Sequence, residues 1–239
     1  MSPRSRPSPA SRHASEFVDS VLALRPRVAA FDCDGTLWAG DAGEGFFSWE
    51  LDNKLVSAEI IAWARPRYAA YRAGLVSEDD MCGEMVFMHY GLSEALVQAA
   101  ANQFFDEKFV PQIFPEMKSL VRKLQDQGCQ VWAVSSTNEW MIRAGMRHFG
   151  IPENRILAAS VRVDDGVITD HLIRVPSGPG KPEALRGAVQ DPLDIAFGNS
   201  RWDAAMLEMA KSGIAVNPNP DLEAMARDRG WRIYFPEVK

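Results

Sequence analysis

Five short apolar runs that alternate with helical stretches constrain this chain more than any other feature. The runs are 28–32, 130–134, 194–197, 213–216 and 231–234, and helices are expected at about 115–127, 138–149, 182–190, 201–211 and 219–229. Such alternation is the pattern of a doubly wound parallel α/β sheet, whose strands are covered on both faces and so are apolar almost throughout. Pro115 suits the first position of a helix, where its missing N–H costs nothing, and Gly128 suits the end of the same helix. One segment breaks the rhythm. Between Phe46 and Phe114 the sequence offers no strand, only helical stretches at about 57–72, 77–89 and 93–109. Ser77 and Ser93 read as N-caps, with Glu78, Asp79 and Glu94 in the first turns. Residues 46–114 are therefore expected to form a small all-helical cap, inserted over the carboxyl edge of a core built from 21–45 and 115–239. A separate β-hairpin is expected at 161–170, where Asp165-Gly166 lies between alternating apolar residues.

The ends and the composition narrow the class further. Residues 1–20, rich in Pro, Ser and Arg, are expected to be a disordered tail, because they offer too little apolar surface to offset ordering entropy. The tail has cations but no hydrophobic stretch behind them, unlike a secretory signal, although an organellar transit peptide shares its composition. No apolar run approaches the roughly 20 residues that cross a bilayer. A net charge of −6 argues against a nucleic-acid or anionic-membrane partner. Cys33, Cys82 and Cys129 show no metal-ligand spacing, and neither do the histidines. They are expected to be free thiols in a reducing cytoplasm.

The first apolar run ends in Phe31-Asp32-Cys33-Asp34-Gly35-Thr36-Leu37. Two carboxylates one residue apart project to the same side of an extended chain, with Cys33 on the other. At the carboxyl end of a parallel strand they stand where open α/β sheets bind ligands. Like charges this close need a cation between them or a proton on one of them. Magnesium, a hard ion that prefers carboxylate oxygens, is the natural counter-ion.

A hydrophobic strand ending in DxDGT resembles the opening motif of the haloacid dehalogenase superfamily. Three further stretches match that family's motifs in order: Val131–Ser136, an apolar strand ending in hydroxyls; Lys181 after Gly178-Pro179-Gly180; and Ile195–Phe197 followed by Gly198–Asp203. The resemblance covers about residues 27 to 235. It implies a Rossmann-like core and a magnesium-dependent phosphatase acting on a small phosphorylated metabolite. Asp32 would attack phosphorus and form an aspartyl-phosphate, and Asp34 would protonate the leaving oxygen and later activate water. Ser135, with Ser136 beside it, would bind phosphoryl oxygens, helped by N–H groups at the start of the next helix. Lys181 would neutralise phosphate and nucleophile together. Asp32, the main-chain carbonyl of Asp34, Asn199 and Asp203 would form the metal site. Asn199 departs from the pattern, which has Asp there, so weaker magnesium binding is expected.

Cap size and position resemble the phosphoserine phosphatase branch, in which an acid after DxDGT meets the substrate amine and a cap arginine meets its carboxylate. Asp41 and Glu44 are candidates for the amine, and Arg65, Arg67 and Arg72 offer cations on one helix. An ungapped placement of the cap puts Glu84 near the arginine position. With Glu84 facing the pocket, a cationic leaving group is expected, as in phosphocholine or phosphoethanolamine, with Trp38, Phe46, Phe47 or Trp49 available for cation–π contact. Two other functions use the same residues: a phosphotransferase passing the phosphoryl group to an acceptor hydroxyl, and a non-catalytic phospho-ligand binding module resting on Asn199.

Overall fold

The computed structural model describes residues 9–237. Its strands are β1 (Val28–Phe31), β2 (Gln130–Asn138), β3 (Ile156–Asp164), β4 (Val167–Arg174), β5 (Ile195–Gly198), β6 (Ser212–Val216) and β7 (Arg232–Tyr234). They form one seven-stranded sheet in the order β4-β3-β2-β1-β5-β6-β7. All neighbours run parallel except β4, which returns antiparallel along β3.

Helices cover both faces, and β1 shows why its residues are all apolar. Ala29 and Phe31 pack on one side with α1 (Pro9–Leu22), α6 (Pro115–Asp126, after the cap) and α7 (Glu139–Met146). Val28 and Ala30 pack on the other with α8 (Gly180–Ala188), α9 (Ala204–Met209) and α10 (Pro220–Arg229). Alternate side chains of one strand thus serve two cores. The cap consists of α2 (Ala42–Asp52), α3 (Ala58–Arg72), α4 (Glu78–Phe87) and α5 (Glu94–Lys108). It has an apolar cluster of its own around Phe47, Leu51, Ala64, Met81 and Met88. Through α5, whose Ala101 and Phe105 join the main core, it is anchored to the sheet domain.

Three expectations are corrected. Residues 9–20, read as tail, lie in α1, and Phe17, Val18 and Val21 bury themselves in the core at helical spacing. Phe17 stacks on Tyr234 with ring centroids 3.6 Å apart, so local burial prevails over a polar average composition. Residues 1–8 lie outside the described residues. The cap begins earlier than expected, because α2 starts at Ala42 with Asp41 as its N-cap; Gly43 and Gly45 disguise it as loop. The hairpin at 161–170 is not a separate unit. The first part of β3 pairs with β2, and its later part, with β4, forms the hairpin. Among the described residues no helix is long and apolar enough to cross a membrane.

Candidate active site

The end of β1 places Asp32 at the floor of a cleft between sheet and cap. Asp32 is 7% exposed, and its backbone continues the ladder by donating to the Phe197 carbonyl at 2.9 Å. Its Oδ1 accepts from Lys181 Nζ at 2.7 Å and its Oδ2 from the Thr36 hydroxyl at 2.7 Å. Lys181, in the first turn of α8 and 2% exposed, also donates to Asp203 Oδ1 at 2.6 Å and to the Val134 carbonyl at 3.0 Å. Its three protons are thereby all used. Burial opposes the ammonium charge, but the carboxylates of Asp203 and Asp32 raise its pKa above the ordinary lysine value. Burial, followed by the like charge of Asp203, pushes Asp32 up to about 6, while Lys181 and Thr36 hold it down.

Asp34 is half-buried and differently held. Its Oδ1 accepts from Trp38 Nε1 at 2.8 Å and from the Ala42 amide at 2.6 Å, and its Oδ2 meets the Thr137 hydroxyl at 2.8 Å. Burial, then the nearby Asp41 carboxylate, pushes its pKa up to about 8. The site therefore favours the protonated form of Asp34 more than that of Asp32. Neighbouring acids separated in this way can divide the work of nucleophile and proton donor.

Ser135, Ser136, Lys181, Asn199, Asp41 and Glu44, all expected from the sequence, line this same cleft. Ser135 Oγ accepts from the Thr137 amide at 3.1 Å. β2 runs on through Asn138, longer than expected, while α7 begins at Glu139 with Asn138 as its N-cap, close to the expected start, and so lies beyond Ser135. Asp203, expected at the metal, is 1% exposed and engaged elsewhere. Besides Lys181 it accepts from the Asn199 and Ser200 amides, each at 2.9 Å, and so shapes the turn after β5.

No cluster of three or more His, Cys, Asp or Glu side chains suited to a metal forms among the described residues. The oxygen donors that remain are the Asp32 carboxylate, the Asp34 carbonyl and the Asn199 amide. Asn199 packs directly over the DxDGT turn: a Cβ on Gly35 would lie 1.9 Å from its Nδ2, and Gly35 has φ +72°. Only glycine admits both that backbone and that neighbour. An all-oxygen set with few protein ligands fits magnesium, which retains several waters.

The cap wall corrects the substrate expectations. Glu84 is held by Arg67 in a bidentate pair at 2.6 and 2.7 Å and does not line the cleft. Arg65 pairs with Asp52, while Arg72 lines the adjoining cavity beside Tyr68 and Glu78. Trp38, Phe46 and Phe47 are core residues, and Trp49 packs on Phe46 and Phe104. The cleft aromatics are instead Tyr71 and Trp202. Glu78, read from the sequence only as a first-turn acid of α4, also lines the cleft and accepts from the Tyr71 hydroxyl. Cys33 and Cys129 are buried free thiols, and Cys82 is a half-buried one.

A family model for haloacid dehalogenase-like hydrolases matches residues 29–208. A phosphoserine phosphatase of Mycobacterium tuberculosis is 29% identical over 149 residues, covering 60% of this chain and 48% of that protein. A histidinol-phosphatase of Neisseria meningitidis serogroup C is 27% identical over 217 residues, covering 86% of this chain and 97% of that protein. The chain spans about half the length of several curated relatives that it matches. Among solved structures, a protein of unknown function from Bordetella pertussis superposes with TM-score 0.77 at 22% identity, over 90% of this chain and 99% of that one. A substrate-bound phosphoserine phosphatase gives TM-score 0.60 at 16% identity, over 90% and 94%, a likeness of fold.

Proposed function

The chain belongs to the haloacid dehalogenase-like hydrolase family, and we propose that it is a magnesium-dependent phosphatase that hydrolyses a small phosphomonoester through an aspartyl-phosphate on Asp32. The observation that carries this reading is the unlike environments of two neighbouring acids. Asp32 is bridged to Lys181, which favours its charged form, while burial and Asp41 favour the protonated form of Asp34. Asp32 attacks phosphorus and Asp34 gives its proton to the leaving oxygen; Asp34 then takes a proton from the water that releases phosphate. Lys181 holds Asp32 in place and offsets the charge gathering on the phosphoryl oxygens, and Ser135 binds one of them. Asp32, the Asp34 carbonyl and Asn199 would hold magnesium, which would supply further neutralisation of that charge. Replacing Asn199 by Asp restores a carboxylate to a hard-cation site. Magnesium titration of the Asn199→Asp variant is expected to reach half-saturation at a several-fold lower concentration; equal or weaker binding would remove Asn199 from the site.

The leaving group proposed is one that carries an amine. Asp41, Glu44 and Glu78 supply negative charge to the cleft wall, and Arg72 stands near its rim. The names of the phosphoserine and histidinol phosphatases among the relatives point to amine-bearing esters as well. Glu44 lies in the first turn of α2, where its amide donates to Asp41 Oδ1 at 2.8 Å. A carboxylate there attracts an amine with a strength that partial desolvation increases. Phosphate release from a panel of phosphomonoesters with magnesium tests the function. On that panel Glu44→Gln is expected to raise KM about tenfold for amine-bearing esters and to leave KM for an uncharged aryl phosphate nearly unchanged. Equal changes on both would make Glu44 structural.

A further inference from the structure

Thr137 was not singled out by any motif, yet it makes the only contact at Asp34 Oδ2 among the hydrogen bonds of the described residues. The other oxygen of Asp34, Oδ1, is committed. Its two partners, the Trp38 indole N–H and the Ala42 amide N–H, donate and never accept. Whatever the protonation state of Asp34, Oδ1 must therefore be an acceptor, and an acidic proton on this residue resides on Oδ2. A hydroxyl is the one kind of partner at that oxygen that can reverse its role, donating to a carboxylate and accepting from a carboxylic acid.

We propose that Thr137 is a positioning residue whose hydroxyl fixes Asp34 through Oδ2, the oxygen left free of obligatory donors, so that this oxygen is the one that exchanges a proton with the leaving oxygen and then with the attacking water. This rests on the aspartyl-phosphate reading above. In the first half-reaction an Asp32 oxygen bonds to phosphorus, the bond to the leaving oxygen breaks, and the Oδ2 proton moves to that oxygen. In the second, a water oxygen bonds to phosphorus, the Asp32–phosphorus bond breaks, and a water proton returns to Oδ2. At each stage the Thr137 hydroxyl can turn to suit the charge on Oδ2, and its bond strengthens as the carboxylate forms.

The fold gives this hydroxyl a built place. Thr137 stands near the end of β2, tied to Ser135 by its own amide, and Ala42 opens α2. The two elements meet at Gly43, where a Cβ would fall 2.6 Å from Thr137 Oγ1. The absence of a side chain at 43 is what lets the hydroxyl reach Asp34.

Leaving-group dependence separates this role from a structural one. An alkyl phosphate needs a proton on its leaving oxygen, whereas a nitrophenyl phosphate departs as a stable anion, and kcat/KM reports only steps through phosphorylation of Asp32. Thr137→Val, a β-branched swap of similar size, is expected to lower kcat/KM for the alkyl ester at least about tenfold more than for the nitrophenyl ester, a part of the usual general-acid contribution. Thr137→Ser, which keeps the hydroxyl, is expected to restore most of that difference. Equal losses of Thr137→Val on both esters, or a serine variant as selective as the valine one, would overturn the proposal while leaving the phosphatase reading intact. A wild-type protein that cleaves neither ester would overturn both.

Discussion

Replacing Asp32 by asparagine is expected to abolish phosphate release and leave the fold at least as stable as before. Asparagine has nearly the shape of aspartate, but its amide is a very poor nucleophile, so the covalent step has no substitute. The stability side follows from the charges around Lys181. In the wild type one buried ammonium faces two carboxylates, at 2.7 Å (Asp32) and 2.6 Å (Asp203). Asp32→Asn removes one of these like charges and leaves Lys181 paired with Asp203. The amide oxygen can still accept from Lys181 or Thr36. Turnover is expected to fall below about 1% of wild type, since even the loss of a general base costs about 10²–10⁴-fold. The thermal midpoint should be unchanged or higher. Activity above that level with an intact fold would remove Asp32 as nucleophile.

Lys181→Met is expected to have the opposite balance, with the largest effect on stability of any single change in the cleft. Methionine fills the same volume but leaves Asp32 and Asp203 facing each other without a cation, and the Val134 carbonyl loses its donor. Removing one partner of a buried ionic group typically costs about 3–5 kcal/mol, because charge is left uncompensated in a poor solvent. The pH dependence follows from the sign of the shift. Lys181 holds the Asp32 carboxyl down against burial and the charge of Asp203, so without it the folded-state pKa of Asp32 rises further above its unfolded value. The variant therefore loses more stability than wild type as pH rises from the unfolded carboxylate range, near 4, through that raised value. The gap to wild type should be smaller at pH 5 than at pH 7.5 in denaturant unfolding. A gap independent of pH would mean that the loss is one of packing.

What the sequence made legible, and what it left hidden, divides along a physical line. Asp32, Asp34 and Ser135 stand at the ends of apolar strands that can be read locally, and Lys181 stands at a helix start after Gly178-Pro179-Gly180. All four meet in one cleft. Thr137 and Trp202 reach that cleft on core segments in or beside the second and fourth motifs, while Tyr71 and Glu78 share it through the packing of cap on core, which no local pattern records. The ungapped placement of Glu84 failed for the same reason: Arg67, on the neighbouring helix, holds it. Helices α1 and α2 were missed for local reasons. The first has a polar composition that obscures Phe17, Val18 and Val21, and the second carries two glycines that tertiary contacts require. Asp203 sits where the fourth motif places a second acid, but only the fold reveals that its oxygens serve Lys181 and the amides of Asn199 and Ser200.

The central claim is that phosphate passes through Asp32. Mixing wild-type protein with a substrate ester and magnesium, quenching in acid and analysing the peptides by mass spectrometry tests it most directly. The expected result is one phosphoryl group on the peptide carrying Asp32, removed by hydroxylamine as an acyl phosphate should be, and absent from Asp32→Asn. A phosphoryl group on another residue, or rapid phosphate release with Asp32 unmodified at every quench time and still proceeding in Asp32→Asn, would contradict the account.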